Sequence, residues 1–338
     1  MLTIQEALNV KEFNTFGIAV KARWFVSVRS VEEIRELIQT AVFLDHERLI
    51  LGGGSNLLFT KDFDGVVIKV DIKGIQVVSE DEDHLLIRCG AGESWHGLVM
   101  YTVENGWSGL ENLSLIPGSV GAAPVQNIGA YGVELKDNFV HLESLNLLTG
   151  EMQTFDKEAC MFGYRDSVFK NELKGKQLIT HVILRVNKKH KFHLSYGNVE
   201  QVLQERGIER PTVQSVSDAI VEIRRSKLPD PRQLGNAGSF FKNPLVTGEK
   251  YQRLKTVYDE MPGYNTGDGY KIPAAWLIDQ CGWKGKRQGA VGVHTNQPLV
   301  LVNYGNGTGK EIEELANAIR KGVLEKFEVD LVPEVNIL

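Results

Sequence analysis

Two glycine-rich segments constrain this chain most. Gly52-Gly53-Gly54-Ser55-Asn56 directly follows the apolar run Leu49-Ile50-Leu51, and Pro117–Gly132 places Gly118, Gly121, Gly129 and Gly132 among small and polar residues. Without Cβ atoms, successive backbone N–H groups can turn inward as an anion nest or lie flat against a ligand. The first segment is no P-loop, because no Gly-Lys-Ser/Thr follows. It half-matches the dinucleotide fingerprint: Gly52 and Gly54 fit, Leu57 occupies the third glycine position, and Asp71 is a decoy at the ribose-binding distance. Singly, each segment also fits a turn without a ligand. Together they favour one large ligand, phosphorylated or flat. Thirty-four glycines, about one residue in ten against a usual ~7%, suit this reading.

The rest of the composition is that of a globular protein, with 42% hydrophobic and 24% charged residues. At roughly 100–200 residues per domain, 338 residues suggest two or three domains. A net charge of −5 disfavours nucleic acid as the main partner, although a local basic patch for a phosphorylated molecule remains compatible. Cys89, Cys160 and Cys281 form no CxxC pair, which disfavours a zinc ribbon and suits a reducing compartment. His190 and His193 lie in a basic, strand-like run and lack metal-site spacing, so no metal is expected. The N-terminus has acids and no long apolar core, and no run approaches the ~20 residues of a membrane span. A cytoplasmic location is expected.

Hydrophobic spacing predicts alternating strands and helices in the first third. Ser30 and Glu33 form a capping box before a helical face of Val31, Ile34, Leu37, Ile38 and Ala41. Strands are expected at Leu49–Leu51, Val66–Val70 and Leu85–Arg88. A helix carrying Trp95, Leu98, Val99 and Val103 should stop at Asn105-Gly106. Strands should dominate to about residue 195, followed by a helix from Ser217 to Lys227 that ends at Pro229 and Pro231, the best domain boundary. Two further helices are expected, one near Ala274–Gln280 and one opened by the capping box of Thr308 and Glu311. A strand over Val329–Ile337 closes the chain.

Several residues could carry chemistry, each with a plainer alternative. Arg165, in Gly163-Tyr164-Arg165-Asp166-Ser167, could present a guanidinium or serve only in a surface ion pair. Lys227 precedes a rigid Pro-Asp-Pro turn. Ser239 stands before Phe240 and Phe241, outside any G-x-S-x-G elbow, so a turn hydroxyl is the simpler reading. Glu334 is an acid in an apolar strand; half-buried, its pKa would rise, and facing outward it is simply solvated.

In chain order, Asn14–Gly17, Leu51–Leu58, Gly109–Leu113, Ile116–Gly121, Gln126–Gly132, Phe162–Ser167, Lys227–Pro231, Gly238–Pro244 and Ala275–Gln280 together resemble the UDP-N-acetylenolpyruvoylglucosamine reductase family in its longer form. The resemblance spans nearly the whole chain. It implies an α+β protein: a two-subdomain FAD-binding fold of the vanillyl-alcohol-oxidase type plus a separate α+β substrate-binding domain. Residues 1–70 would form the first FAD subdomain, with strand 329–338 returning to it. Residues 71–228 would form the second, and 229–328 the substrate domain.

By the same resemblance, FAD would be held by Gly52, Gly53, Gly54, Ser55, Asn56 and Leu57 and by Ser114, Pro117, Gly118, Ser119, Gly121 and Ala122. Gln126, Asn127, Gly129 and Arg224 would complete its site. NADPH would donate hydride to flavin N5, which would pass it to the terminal methylene carbon of UDP-N-acetylglucosamine enolpyruvate. Negative charge would then spread into the substrate carboxylate, gripped by Arg165 and by a protonated or compensated Glu334. Ser239 would protonate the neighbouring carbon, helped by a cationic neighbour such as Lys227. Tyr131, Tyr196, Lys227, Asn243, Tyr264, Lys271 and Gln297 would contact substrate, Tyr196 matching a tyrosine that closes over it. The chain would act as a monomer. It departs from the family where Asn336 replaces an expected basic residue and, loosely, over residues 284–297. The rival readings are a flavin oxidase of the same fold, a flavin-free NAD dehydrogenase and a non-catalytic nucleotide-sugar binder.

Overall fold

A computed structural model describes residues 2–338. Chain contacts divide it into two compact units. The first holds residues up to Leu8, Lys21–Gly54 and Asp64–Ser226; the second holds Asn9–Val20, Ser55–Phe63 and Lys227–Leu338.

The first unit contains two principal sheets. One is ordered Ile4–Asn9, Lys21–Val28, Phe63–Val70, Glu47–Leu51. Its last two strands run parallel, with Leu51 opposite Lys69. The other is antiparallel, ordered Met152–Asp156, Phe139–Asn146, Gln177–Asn187, His84–Gly90, Ile75–Glu80. Its central strand is buried on both faces, which explains the near-continuous apolar run from Leu178 to Val186. The helix Trp95–Glu104 buries Trp95, Leu98, Val99 and Val103 in the same core as Val26, Ile68 and Leu142. Gly106 takes φ +72° just beyond its end, as the Asn105-Gly106 stop requires.

Ser30 Oγ accepts from Glu33 N (3.2 Å), as the spacing predicts, but the Glu33 carboxylate reaches Arg29 N (2.7 Å). The helix spans only Val31–Leu37. Ala41, expected on its apolar face, instead starts a second helix, Ala41–Asp45, because Thr40 Oγ1 accepts from Phe43 N (3.2 Å) and caps a fresh turn. No strand continues past Asn187, contrary to the strand-like expectation for the run holding His190 and His193. That stretch leads into an unanticipated helix, Val199–Glu205, and the next helix begins at Val213 rather than Ser217. The two helices share a patch of Val199, Leu203, Val216 and Ile220, with Tyr131 and Leu194 packed against it.

In the second unit, a sheet is ordered Gly235–Ser239, Val300–Asn303, Val291–Val293, Arg287–Gln288. A smaller one is ordered Leu245–Val246, Tyr270–Lys271, Tyr264–Asn265. Helices Ala274–Gln280 and Gly309–Phe327 lie where expected, and the Thr308–Glu311 capping box is complete. The longer one buries Ile312, Leu315, Ile319 and Val323 at helical spacing. A further helix, Gly248–Val257, was not foreseen: it is strongly polar and is started by Thr247, whose Oγ1 accepts from Lys250 N (3.2 Å). The expected terminal strand shrinks to Asn336–Ile337, paired in parallel with Leu57–Leu58. Upstream, Pro333 lacks an N–H, and only an isolated bridge to Phe241 forms there.

Among the described residues, no helix is long and apolar enough to cross a membrane, and no group of three or more His, Cys, Asp or Glu residues could hold a metal ion.

Candidate active site

Within the first unit the two glycine segments meet. A Cβ on Gly53 would stand 2.6 Å from Gly118 Cα and 2.9 Å from its carbonyl carbon, so the chains touch backbone to backbone. One on Gly52 would strike Ser119 Oγ and lie 3.1 Å from Ala122 Cβ. Gly54 (φ +63°) and Gly118 (φ +120°) occupy backbone regions that side chains disfavour. The turn between strand His84–Gly90 and helix Trp95–Glu104 anchors the second segment: Trp95 N donates to Gly118 O (3.0 Å), Val120 N to Glu93 O (2.9 Å) and Gly121 N to Ala91 O (2.9 Å). Ser119 Oγ is enclosed without a hydrogen-bond partner, and so is Arg224 Nε. An unpaired buried polar group costs about 1–3 kcal/mol, which makes these two donors natural anchors for an anionic ligand. A cradle of bare backbone with the orphaned Ser119 hydroxyl beside it fits a cofactor diphosphate.

Further along, Asn127 (φ +43°) uses its side chain inside the protein. Its Nδ2 donates to Glu134 Oε2 (3.1 Å) and Gly163 O (3.0 Å), while its Oδ1 accepts from Lys136 N (3.0 Å). Any ligand contact from this point comes through backbone. Arg165, half-buried with φ +55°, donates from Nη2 to Gly129 O (2.6 Å) and lies over the Tyr164 ring (5.3 Å). A Cβ on Gly129 would crowd the Arg165 guanidinium, Glu134 Cγ and Val133 O, each at 3.0 Å. Ser114 is buried and its Oγ meets Ser217 Oγ (2.8 Å), tying this loop to the helix that carries Arg224.

Arg224 is electrostatically uncomfortable: burial and the nearby Arg165 charge lower its pKa, and Tyr131 partly offsets them. Burial raises the Tyr131 hydroxyl's pKa, with Arg224 pulling the other way. Tyr196 is 62% exposed, and the loop that carries it packs on Tyr131. The Arg224 and Arg225 charges also reach His96. Its Nδ1 accepts from Leu115 N (3.0 Å), and burial together with the charges of Arg225 and Arg224 lowers its pKa. No local pattern marks it, because its partners lie far along the chain.

The second unit gathers another set. Ser239 ends strand Gly235–Ser239 beside a register shift, opposite Val300. Gly238 (φ +69°) makes the bend, its N–H held by Asn236 Oδ1 (2.9 Å). Phe240 O then accepts from Glu334 N (2.8 Å), so the backbones bearing Ser239 and Glu334 run side by side. Asn56 Nδ2 donates to Glu334 O (3.2 Å), and Asn56 O accepts from Asn336 N (3.1 Å). Leu57 is buried in the pairing with the tail, and Ser55 is half-buried before it. Asn243 Oδ1 holds Ala274 N (2.9 Å) at the start of a helix. Lys271 pairs across strands with Tyr264 and with Leu245, so the three share one face of the small sheet. Gln297 turns the chain, its carbonyl accepting from Val300 N (3.0 Å), and Lys227 is exposed.

Comparison with known proteins agrees with this picture. Residues 230–338 match the family model described as the C-terminal domain of UDP-N-acetylenolpyruvoylglucosamine reductase, and residues 22–156 match the model of an FAD binding domain. Curated proteins named UDP-N-acetylenolpyruvoylglucosamine reductase are similar along their length. The one from Amoebophilus asiaticus is 50% identical over 338 residues, covering 100% of each chain. That from Flavobacterium johnsoniae is 47% identical, also covering 100% of each, and that from Pseudomonas aeruginosa is 49% identical, covering 99% of each. Among solved structures, the UDP-N-acetylenolpyruvylglucosamine reductase of Thermus caldophilus shares the fold at TM-score 0.70, with 24% identity over 100% of this chain and 99% of that one.

Proposed function

Since the chain belongs to the UDP-N-acetylenolpyruvoylglucosamine reductase family, it is an FAD-dependent reductase of peptidoglycan precursor synthesis, and we propose how its residues do that work. It reduces UDP-N-acetylglucosamine enolpyruvate to UDP-N-acetylmuramate with NADPH, in the cytoplasm, as a monomer. Residues 1–70 and 71–228 serve FAD, with 329–338 returning to the first part, and 229–328 serve substrate.

The observation that carries this reading is the backbone contact of Gly53 with Gly118 beside the orphaned Ser119 hydroxyl. Gly52, Gly53, Gly54, Gly118 and Ser119 hold the diphosphate through backbone donors, while Pro117, Gly121 and Ala122 line the cradle, Gly121 N and Ala122 N being bonded to Ala91 O and Ser119 O. Ser55, Asn56, Leu57, Ser114, Gln126, Asn127, Gly129 and Arg224 complete the cofactor site. Bound FAD supplies the hydride exchange between NADPH and the sugar nucleotide.

The remaining chemistry belongs to side chains. Arg165 grips the substrate carboxylate where negative charge develops, and its bond to Gly129 O holds the guanidinium in place beforehand. Glu334, protonated or charge-compensated, shares that grip. Ser239 gives a proton to the carbon next to the one that receives hydride, aided by a cationic neighbour, and Lys227 contacts the substrate diphosphate. Tyr131, Tyr196, Asn243, Tyr264, Lys271 and Gln297 orient the sugar nucleotide.

The test is spectroscopic. Purified protein should carry the flavin absorption band, anaerobic NADPH should bleach it, and the enolpyruvyl sugar nucleotide should restore it. A colourless protein, or a band restored by oxygen and indifferent to the sugar nucleotide, would overturn the proposal, the second result favouring an oxidase.

A further inference from the structure

Asn112 belongs to none of the roles above, yet it is 1% exposed and its amide bridges two remote segments. Its Nδ2 donates to Tyr131 O (2.9 Å) and to His193 O (2.8 Å). Both partners are carbonyls, so only the –NH₂ end of the amide can face them, and both of its hydrogens are used. The base of the bridge is stiff. Asn112 sits in the turn Glu111–Leu113, where the buried Glu111 carboxylate accepts from Gly109 N (2.5 Å) and Leu113 O accepts from Trp95 Nε1 (3.0 Å).

Its two targets lead to two tyrosines. Tyr131 has φ +48°, a conformation a non-glycine residue keeps only when its surroundings impose it. His193 lies three positions before Tyr196. The loop closes back on Tyr131: a Cβ on Gly197 (φ +73°) would stand 2.7 Å from the Tyr131 ring, and one on Gly132 (φ +80°) 3.5 Å from Tyr196 Cβ.

We propose that Asn112 is a positioning residue for substrate binding, setting Tyr131 and Tyr196 against each other through the carbonyls of Tyr131 and His193. The inference rests on the reading that these tyrosines contact the sugar nucleotide. Asn112→Asp keeps the shape but turns both bonds into oxygen–oxygen repulsions. Gly197→Ala attacks the same juxtaposition from the loop that carries Tyr196. Each should raise KM for the enolpyruvyl sugar nucleotide about tenfold, with the rate of flavin bleaching by NADPH unchanged and the flavin band retained.

Tyr196→Ala separates the two layers of the argument. If Tyr196→Ala raises this KM but folded Asn112→Asp or Gly197→Ala does not, the positioning role is wrong and the tyrosine contact stands. If Asn112→Asp does not fold, Gly197→Ala alone decides. If Tyr196→Ala leaves KM unchanged, the substrate-contact reading fails and the inference with it. A KM rise in the positioning variants that disappears in a Tyr196→Ala background establishes the coupling.

Discussion

Single atoms decide whether the cofactor can sit. Gly53 has no room for a Cβ, because its neighbour is Gly118 backbone rather than a movable side chain. Gly53→Ala should therefore push the two segments apart and weaken FAD binding by about tenfold or more, a cost of at least ~1.4 kcal/mol. Flavin retained on gel filtration, compared with wild type, measures it. Ser239→Ala should leave NADPH bleaching intact while lowering the rate of flavin recovery with sugar nucleotide by about 10²–10⁴-fold, the usual worth of a positioned proton donor. Recovery at the wild-type rate would remove Ser239 from the chemistry. The glycine segments were legible in the sequence because lacking a Cβ is a property of the residue itself. Asn112 was visible only as part of a motif, since its partners Tyr131 and His193 lie 19 and 81 residues away.

Elements were legible where spacing and caps agreed. The helix Gly309–Phe327 shows both a complete capping box and an apolar stripe. The helix Gly248–Val257 has its cap but buries only Tyr251 and Leu254, so hydrophobic periodicity could not reveal it. The terminal strand misled in the opposite sense: an apolar run promised nine residues, and only Asn336–Ile337 pair. Those two matter nonetheless. Asn336 N and Nδ2 both donate to Asn56 O (3.1 and 3.0 Å), Leu338 N donates to Leu58 O (2.9 Å), and Leu338 O accepts from Thr60 N (2.9 Å). Here an asparagine replaces the expected basic residue, and it serves strand pairing. Asn336→Pro removes both donors of that residue, and at about 1 kcal/mol each it should cost ~2 kcal/mol. Chemical denaturation gives the value; an unchanged midpoint would show that the pairing contributes nothing.

For the molecule as a whole, acid is the sensitive direction. Burial lowers the pKa of His96, where Arg225 and Arg224 reinforce it. It also lowers that of His181, where Arg88 reinforces it and Glu143 opposes it. A histidine with a depressed folded-state pKa binds fewer protons folded than unfolded. Stability is therefore intact above the ordinary value of 6.5 and falls as pH drops below it. Glu143, held low mainly by its hydrogen bond from Arg88, adds a further loss only below about 4.5. Tm should fall by several degrees between pH 7.5 and 5.5, at roughly 2–4 °C per kcal/mol, and His181→Asn should flatten the slope. A flat profile in the wild type would contradict this.

The second unit is stitched from stretches that begin at Asn9, Ser55 and Lys227. Its bond from Asn56 to Glu334 closes a span of 278 residues. On the ribosome, the early stretches emerge long before their partners, and their apolar surfaces must stay unclaimed while the other unit forms. High contact order of this kind slows folding and exposes the nascent chain to aggregation. Until Glu334 has been made, the segment around Asn56 waits without the strand partner that completes this unit.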